Sequence, residues 1–231
     1  MNKSVLVVYS CYNPPTSLID SIQSLYDKQI LNNTKHKIIC VDNNSDIIST
    51  YDAVKEQFPN VEIIFNKNKN YEWGAYKYAY DNFSNYDLYF CLQDTIVFTK
   101  QININNITDN SPYSIFYSGG FLKLGADPFG VKVFYLKNLL SYKVLKQKNI
   151  NFDDMVCEDF IMSQHNTFLI TKNDLSKLFE VLINPPSNKL DSNLYERIFG
   201  LYFIKKNINR KDLTSYIKKI DREDRIFITK K

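Results

Sequence analysis

A chain of 231 residues, 44% of them apolar, can bury a full core and is most simply one domain, with or without a terminal extension. Its net charge of +4 comes from lysines and arginines interleaved with acids, which argues against a nucleic-acid partner. Cys11, Cys40, Cys91 and Cys157 show no short paired spacing, which excludes a zinc site and a disulfide framework, and no apolar run approaches membrane-spanning length.

Met1-Asn2-Lys3 leads directly into VLVVYS, too short and polar-flanked for a signal peptide, so the expectation is a soluble, cytoplasmic protein with no integral membrane segment. Val5 to Tyr9 is the first buried-strand candidate. It ends at Ser10-Cys11-Tyr12-Asn13-Pro14-Pro15, where two prolines stop a strand and suit a first helical turn. Leu18, Ile19, Ile22 and Leu25 then recur at helical spacing. Lys37 to Val41 predicts a second strand, ending on Asp42-Asn43-Asn44-Ser45-Asp46. A helix carrying Ile47, Ile48, Tyr51, Val54 and Phe58 follows until Pro59. Val61 to Phe65 predicts a third strand, leading into Asn66-Lys67-Asn68-Lys69-Asn70, and Tyr71 to Phe83 reads as a helix with Gly74 in its opening turns.

The unbroken apolar run Leu88 to Leu92 predicts a fourth strand covered on both faces, and it stops at Gln93-Asp94-Thr95. The resulting β-α-β-α-β-α-β order argues a parallel sheet with right-handed crossovers. Ligands of such sheets bind beyond the carboxyl ends of the strands, where Asn13, Asp42 and Asp94 converge and the third strand feeds Asn70 and Gly74. No Gly-x-Gly-x-x-Gly or Walker-type loop is present.

Past Thr99, Ser114 to Ser118 and Val131 to Leu136 are strand-like, with Gly119, Gly120, Gly125 and Gly130 between them. Leu139 to Leu145 looks helical, and Cys157-Glu158-Asp159 introduces a helix through Met162. Phe168 to Ile170 reads as a strand, with Thr171 capping a helix through Leu175, Leu178, Phe179 and Leu182 that Pro185-Pro186 ends. Leu194 to Ile204 is a further helix. From Arg210 the spacing of Leu213, Tyr216, Ile217 and Ile220 predicts an amphipathic helix that packs onto the body, with peripheral contact to an anionic membrane as the lesser alternative.

The segments VLVVYSCYNPP (5–15), IICVDNNSD (38–46), NKNYEWGAY (68–76) and YFCLQDT (89–95), with the weaker CEDFIMS (157–163), resemble in order and interval the GT-A fold glycosyltransferases of the family 2 type. The resemblance implies an α/β fold with a Rossmann-like, mostly parallel sheet flanked by helices. It implies a catalytic domain over 1–205, with a nucleotide-sugar-binding half (1–100), an acceptor-side half (101–205) and a charged amphipathic, helical tail (206–231). It further implies a sugar moved from a UDP- or dTDP-linked donor to a hydroxyl of a glycan, glycolipid or protein acceptor, by inverting displacement. By position, Tyr12, Asn13 and Asn43 would line the base and Asp42 would accept a hydrogen bond from a uracil-like ring. Asn70 and Gly74 would lie near ribose and diphosphate. Gln93 would stand beside Asp94, which would join Mn²⁺ or Mg²⁺ to the diphosphate. Asp159 or Glu158 would be the catalytic base, with Asp153 and Asp154 as fallback.

Each residue also has a plainer reading. Asn13 is an ordinary turn residue, Asn43-Asn44-Ser45 an ordinary helix N-cap cluster, and Trp73, the single tryptophan, ordinary core. His165 fits a further metal ligand in this fold, although a structural role is about three times commoner for a lone histidine. The metal motif departs from the family's Asp-x-Asp. Asp94 is the second acid with Leu92 in place of the first, or the middle residue between Gln93 and Thr95, and either register leaves one carboxylate. That depletion admits a sugar-nucleotide-binding module with little or no turnover as the alternative. A nucleotidyltransferase ranks third, for want of an early Gly-rich, basic loop.

Overall fold

The computed structural model describes residues 2–67, 70–119, 160–182 and 185–220. The expected strand over 131–136, the helix over 139–145, most of the glycine-rich segment, Asp153, Asp154, Cys157, Glu158, Asp159 and the tail from 221 lie outside the described residues.

Strand β1 (Ser4–Cys11) is the axis of the molecule, buried at every position after Ser4. Alternate side chains serve opposite faces, which is why the sequence shows no polar alternation. Leu6 and Val8 join Ile39, Val41, Tyr89, Cys91, Phe168 and Ile170 in one core, and Val5, Val7, Tyr9 and Cys11 join Ile38, Cys40, Leu88, Phe90 and Leu92 in the other. The second core is closed by α1 (Ser17–Asp27), through Leu18, Ile22 and Leu25, and by α2 (Thr50–Gln57), through Tyr51 and Val54. The first is closed by α3 (Tyr71–Asn82), α4 (Lys172–Val181) and α5 (Lys189–Lys205). Trp73 of α3 is fully buried there, its ring 4.3 Å from that of Phe199 and edge-on to Tyr76 and Phe179. The core reading of this tryptophan holds.

The seven-stranded sheet runs β3-β2-β1-β4-β7-β6-β8. Its strands β2 (Lys35–Asp42), β3 (Glu62–Phe65) and β4 (Leu88–Gln93) are parallel to β1, in register Cys11↔Asp42, Asp42↔Phe65 and Ser10↔Gln93. Strand β7 (Phe160–Thr171) is antiparallel to β4, and β6 (Tyr113–Gly119) is antiparallel to β7. Thr171 caps α4 as expected, its hydroxyl accepting from the Asp174 N–H.

Four expectations are corrected. The helix read through Met162 is instead strand from Phe160 onward, because the neighbouring β6 offers a ladder that outweighs the short apolar run's helical spacing. The tail is not helical up to Lys219. Lys211–Asp212 forms β8 beside β6, a 3₁₀ turn follows at Thr214–Tyr216, and Ile217–Lys219 forms β9 against β5 (Ile96–Phe98). Leu213, read as one apolar position of a helical stripe, is buried in the second core. Ile47 and Ile48 are exposed, since α2 starts only at Thr50. Asn43-Asn44-Ser45 therefore caps no helix and forms a separate loop.

Candidate active site

The carboxyl ends of β1, β2 and β4 form one edge, and two polar clusters stand on it. The first ties the loops after β1 and β2 together. Asp42 is buried, and its Oδ1 accepts from the Ser45 N–H at 2.8 Å while its Oδ2 accepts from the Ser45 hydroxyl and from the Tyr51 hydroxyl at 2.6 Å. Burial, with Cys11 and the Asp42 carboxylate nearby, pushes the Tyr51 hydroxyl far above the usual phenol range, so it remains a donor. Asn13 adopts a left-handed φ of 46°, donates its N–H to the Ser45 Oγ at 2.7 Å, and accepts the Asp46 and Ile47 N–H groups on Oδ1 at 2.9 and 3.1 Å. The Asn43 amide nitrogen donates to the Ser10 Oγ at 3.0 Å, while its buried Oδ1 has no partner among the described residues. Tyr12 is exposed beside this cluster.

The second cluster lies where β4 ends. Asp94 is buried at 3% exposure, and Gln93 before it donates Nε2 to the Glu72 Oε1 at 2.7 Å. Glu72, in the first turn of α3, also accepts from the Ser192 hydroxyl at 3.1 Å. Asn70 is the N-cap residue of α3, Tyr71 after it has a φ of 53°, and Gly74 donates its N–H to the Asn70 carbonyl at 3.0 Å.

From β7 comes an irregularity. Its pairing with β6 jumps from Ser114↔Phe168 to Phe116↔Ser163, so Ile115 alone faces the stretch from Gln164 to Thr167. The bulge puts His165 and Asn166 at φ values of 60° and 47°, a costly conformation for consecutive non-glycine residues, and such bulges re-aim side chains beside active sites. Asn166 is wholly buried, with both amide atoms lacking a partner among the described residues. The His165 N–H donates to the Glu196 Oε1 at 2.9 Å.

Lys219 of β9 completes the edge. Its Nζ lies 3.1 Å from the Gln93 Oε1 and 3.2 Å from the His165 Nδ1. An ammonium can only donate, so a hydrogen bond here has Nδ1 as its acceptor. The Ile220 N–H to the Thr95 carbonyl, 2.9 Å, pins the tail to the turn that follows Asp94.

The structure thus brings together Asn13, Asp42 and Asn43 at one end of the edge, and Gln93 and Asp94 at the other. Glu158 and Asp159 lie outside the described residues. Sequence reading missed Glu72, although it sits inside NKNYEWGAY, and an acid in a helix's first turn at a strand edge was its signal. Asn166 and Lys219 had none, because a bulge and a tail strand are defined by their partners. Burial holds the thiols of Cys11 and Cys91 well above the usual range, so neither is a nucleophile.

The donor set of the second cluster does not fit a divalent cation among the described residues. No three His, Cys, Asp or Glu side chains converge there, Asp94 supplies one carboxylate, and the Gln93 Oε1 and His165 Nδ1 already face an ammonium.

Comparison with protein-family models finds no match, and comparison with curated proteins finds none. Solved structures do match. The apo structure of the bifunctional glycosyltransferase WbbM aligns with a TM-score of 0.50 at 15% identity, over 86% of this chain and 38% of that one. The mannosyltransferase PcManGT from Pyrobaculum calidifontis, solved with GDP-mannose and Mn²⁺, aligns with a TM-score of 0.42 at 12% identity, over 50% of this chain and 36% of that one. The chain spans less than two fifths of the length of either. The fold is a mixed α/β structure with a mostly parallel seven-stranded sheet flanked by helices, similar to that of the WbbM glycosyltransferase. No described helix is long and apolar enough to cross a membrane.

Proposed function

We propose that this protein transfers a glycosyl group from a nucleoside-diphosphate sugar to an acceptor hydroxyl. The observation that carries the reading is the strand-end edge itself, where the Asp42–Asn13 brace, Asp94 and the strained β7 bulge meet at the carboxyl ends of parallel strands in a glycosyltransferase fold. An ionised carboxylate offers about four lone-pair directions. Asp42 uses three, so one on Oδ1 is left for the ring N–H of a uracil or thymine base. Asn70 and Gly74 at the start of α3 face the ribose and diphosphate, and membership of family 2 rests on the ordered motifs.

In the reaction the acceptor oxygen attacks the anomeric carbon with inversion, its proton passing to Asp159 or Glu158 on the segment leading into β7. The acceptor is a glycan, glycolipid or protein hydroxyl. The single carboxylate at Gln93-Asp94-Thr95 favours one second reading, a sugar-nucleotide-binding module that retains the pocket without turnover. Incubation with a panel of UDP-, dTDP- and GDP-sugars, with and without acceptors, separates the two: transfer predicts release of nucleoside diphosphate, the binding module predicts affinity without release, and silence in both defeats the proposal.

A further inference from the structure

Resting on the reading above, we infer that Lys219, delivered by the C-terminal strand β9, is the cation that binds the donor's diphosphate, in a place where the described residues offer a divalent ion too few ligands. When the bond between the anomeric carbon and the β-phosphate oxygen breaks, its electron pair stays on that oxygen. The bond to the acceptor oxygen forms, and the acceptor's proton goes to the carboxylate base. Negative charge therefore builds on the leaving diphosphate, and a fixed cation beside it lowers the barrier.

Three observations place Lys219 in this role. The ladder Ile96↔Lys219, Val97↔Lys218, Phe98↔Ile217 and the Ile220–Thr95 bond fix the lysine's backbone within one turn of Asp94. Its exposed side chain reaches Gln93 and His165 on two different strands, at 3.1 and 3.2 Å, so the ammonium stands over the edge in reach of a ligand. Next to His165, the buried Asn166 holds an amide without partners among the described residues, in a strained bulge at this end of the edge. Two positive-φ residues and an unsatisfied amide are costs that the sheet alone does not explain. Such costs accumulate where a ligand belongs.

Calorimetric titration of the full chain with UDP, dTDP and GDP in excess chelator tests the inference, with the corresponding nucleosides as the second arm. Wild-type protein is expected to bind at least one diphosphate without metal. Lys219→Met is expected to weaken that binding about 10- to 100-fold, as loss of a charge-assisted contact does, with Lys219→Arg restoring most of it and nucleoside affinity unchanged. A structural role would move nucleoside and diphosphate together. Diphosphate binding that disappears in chelator overturns the inference without any variant, as does equal affinity in Lys219→Met or an equal loss for nucleoside. All of these leave glycosyl transfer standing. No diphosphate binding with or without Mn²⁺ brings down the transfer reading itself and the lysine's role with it.

Discussion

The two polar clusters on the strand-end edge differ in how completely they satisfy themselves. Around Asp42, three donors meet one carboxylate, Asn13 bridges two loops, and Tyr51 reaches in from α2. Around Asp94, a bulge holds two left-handed residues, Asn166 lacks partners among the described residues, and a lysine arrives from 126 positions beyond Gln93. The first arrangement satisfies its carboxylate and sets a shape, leaving the Asn43 Oδ1 without a partner among the described residues. The second carries unmet polar demand of the kind that accumulates where a ligand belongs. On the proposed reading, binding and chemistry divide along one edge, with the braced Asp42 cluster facing the base and the strained Asp94 cluster facing the diphosphate.

The largest expected effect lies beyond the diphosphate side. Asp159→Asn should lower turnover by roughly 10²–10⁴-fold, the range general-base catalysis supplies, while calorimetry shows nucleotide affinity retained. If that variant is near-normal and Glu158→Gln is inactive, the role belongs to the neighbour. On the base side, Asp42→Ala strips the acceptor from the buried Tyr51 and Ser45 donors and should cost roughly 2–3 kcal/mol, a Tm lowered by about 5–10 °C in a calorimetric scan. Nucleotide affinity should fall with it, and unchanged affinity would reduce Asp42 to a loop brace. Tyr51→Phe keeps the ring against Phe65 and removes one donor, so about 1 kcal/mol and a Tm shift of roughly 2–4 °C are expected, with turnover nearly intact.

The smallest effect belongs to the opposite edge. Asp87 accepts from the Ser4 N–H and hydroxyl, both at 2.8 Å, and these bonds hold its carboxyl below the usual range. A depressed folded-state pKa gives stability present above the ordinary carboxylate range and lost as pH falls through it toward the folded value. Asp87→Asn should therefore flatten the acid limb of a Tm-against-pH curve slightly and leave nucleotide affinity alone. A change in affinity would contradict the placement of the site.

The same division marks what could be read from the sequence. The runs at Val5–Tyr9, Lys37–Val41 and Leu88–Leu92 announce buried parallel strands, and each polar stop (Asn13, Asp42, Asp94) falls where its strand ends, because a βαβ unit is built from neighbours in the chain. Asp42 was legible as a strand-end carboxylate, but its bond to Tyr51 was not, since the helix spacing that included Ile47 and Ile48 misplaced the start of α2. Beyond Thr99 the pairing is non-local. Phe160–Thr171 is a strand only because β4 and β6 flank it, and the tail's stripe of Leu213, Tyr216 and Ile217 suits a helix as well as a strand until β5 and β6 offer their edges. Lys219 stands 126 positions from Gln93, and no local pattern reports such a contact.

Hydrogen exchange of the wild-type chain, with and without a saturating nucleoside-diphosphate sugar, tests the central claim most directly. The account predicts slower exchange at the amides of Asn13 and 42–47, at 93–96, at 165–167 and at 217–220, with no change at Ser4 and Asp87 on the opposite edge. Protection confined to that opposite edge, or absent with every donor offered, would contradict it.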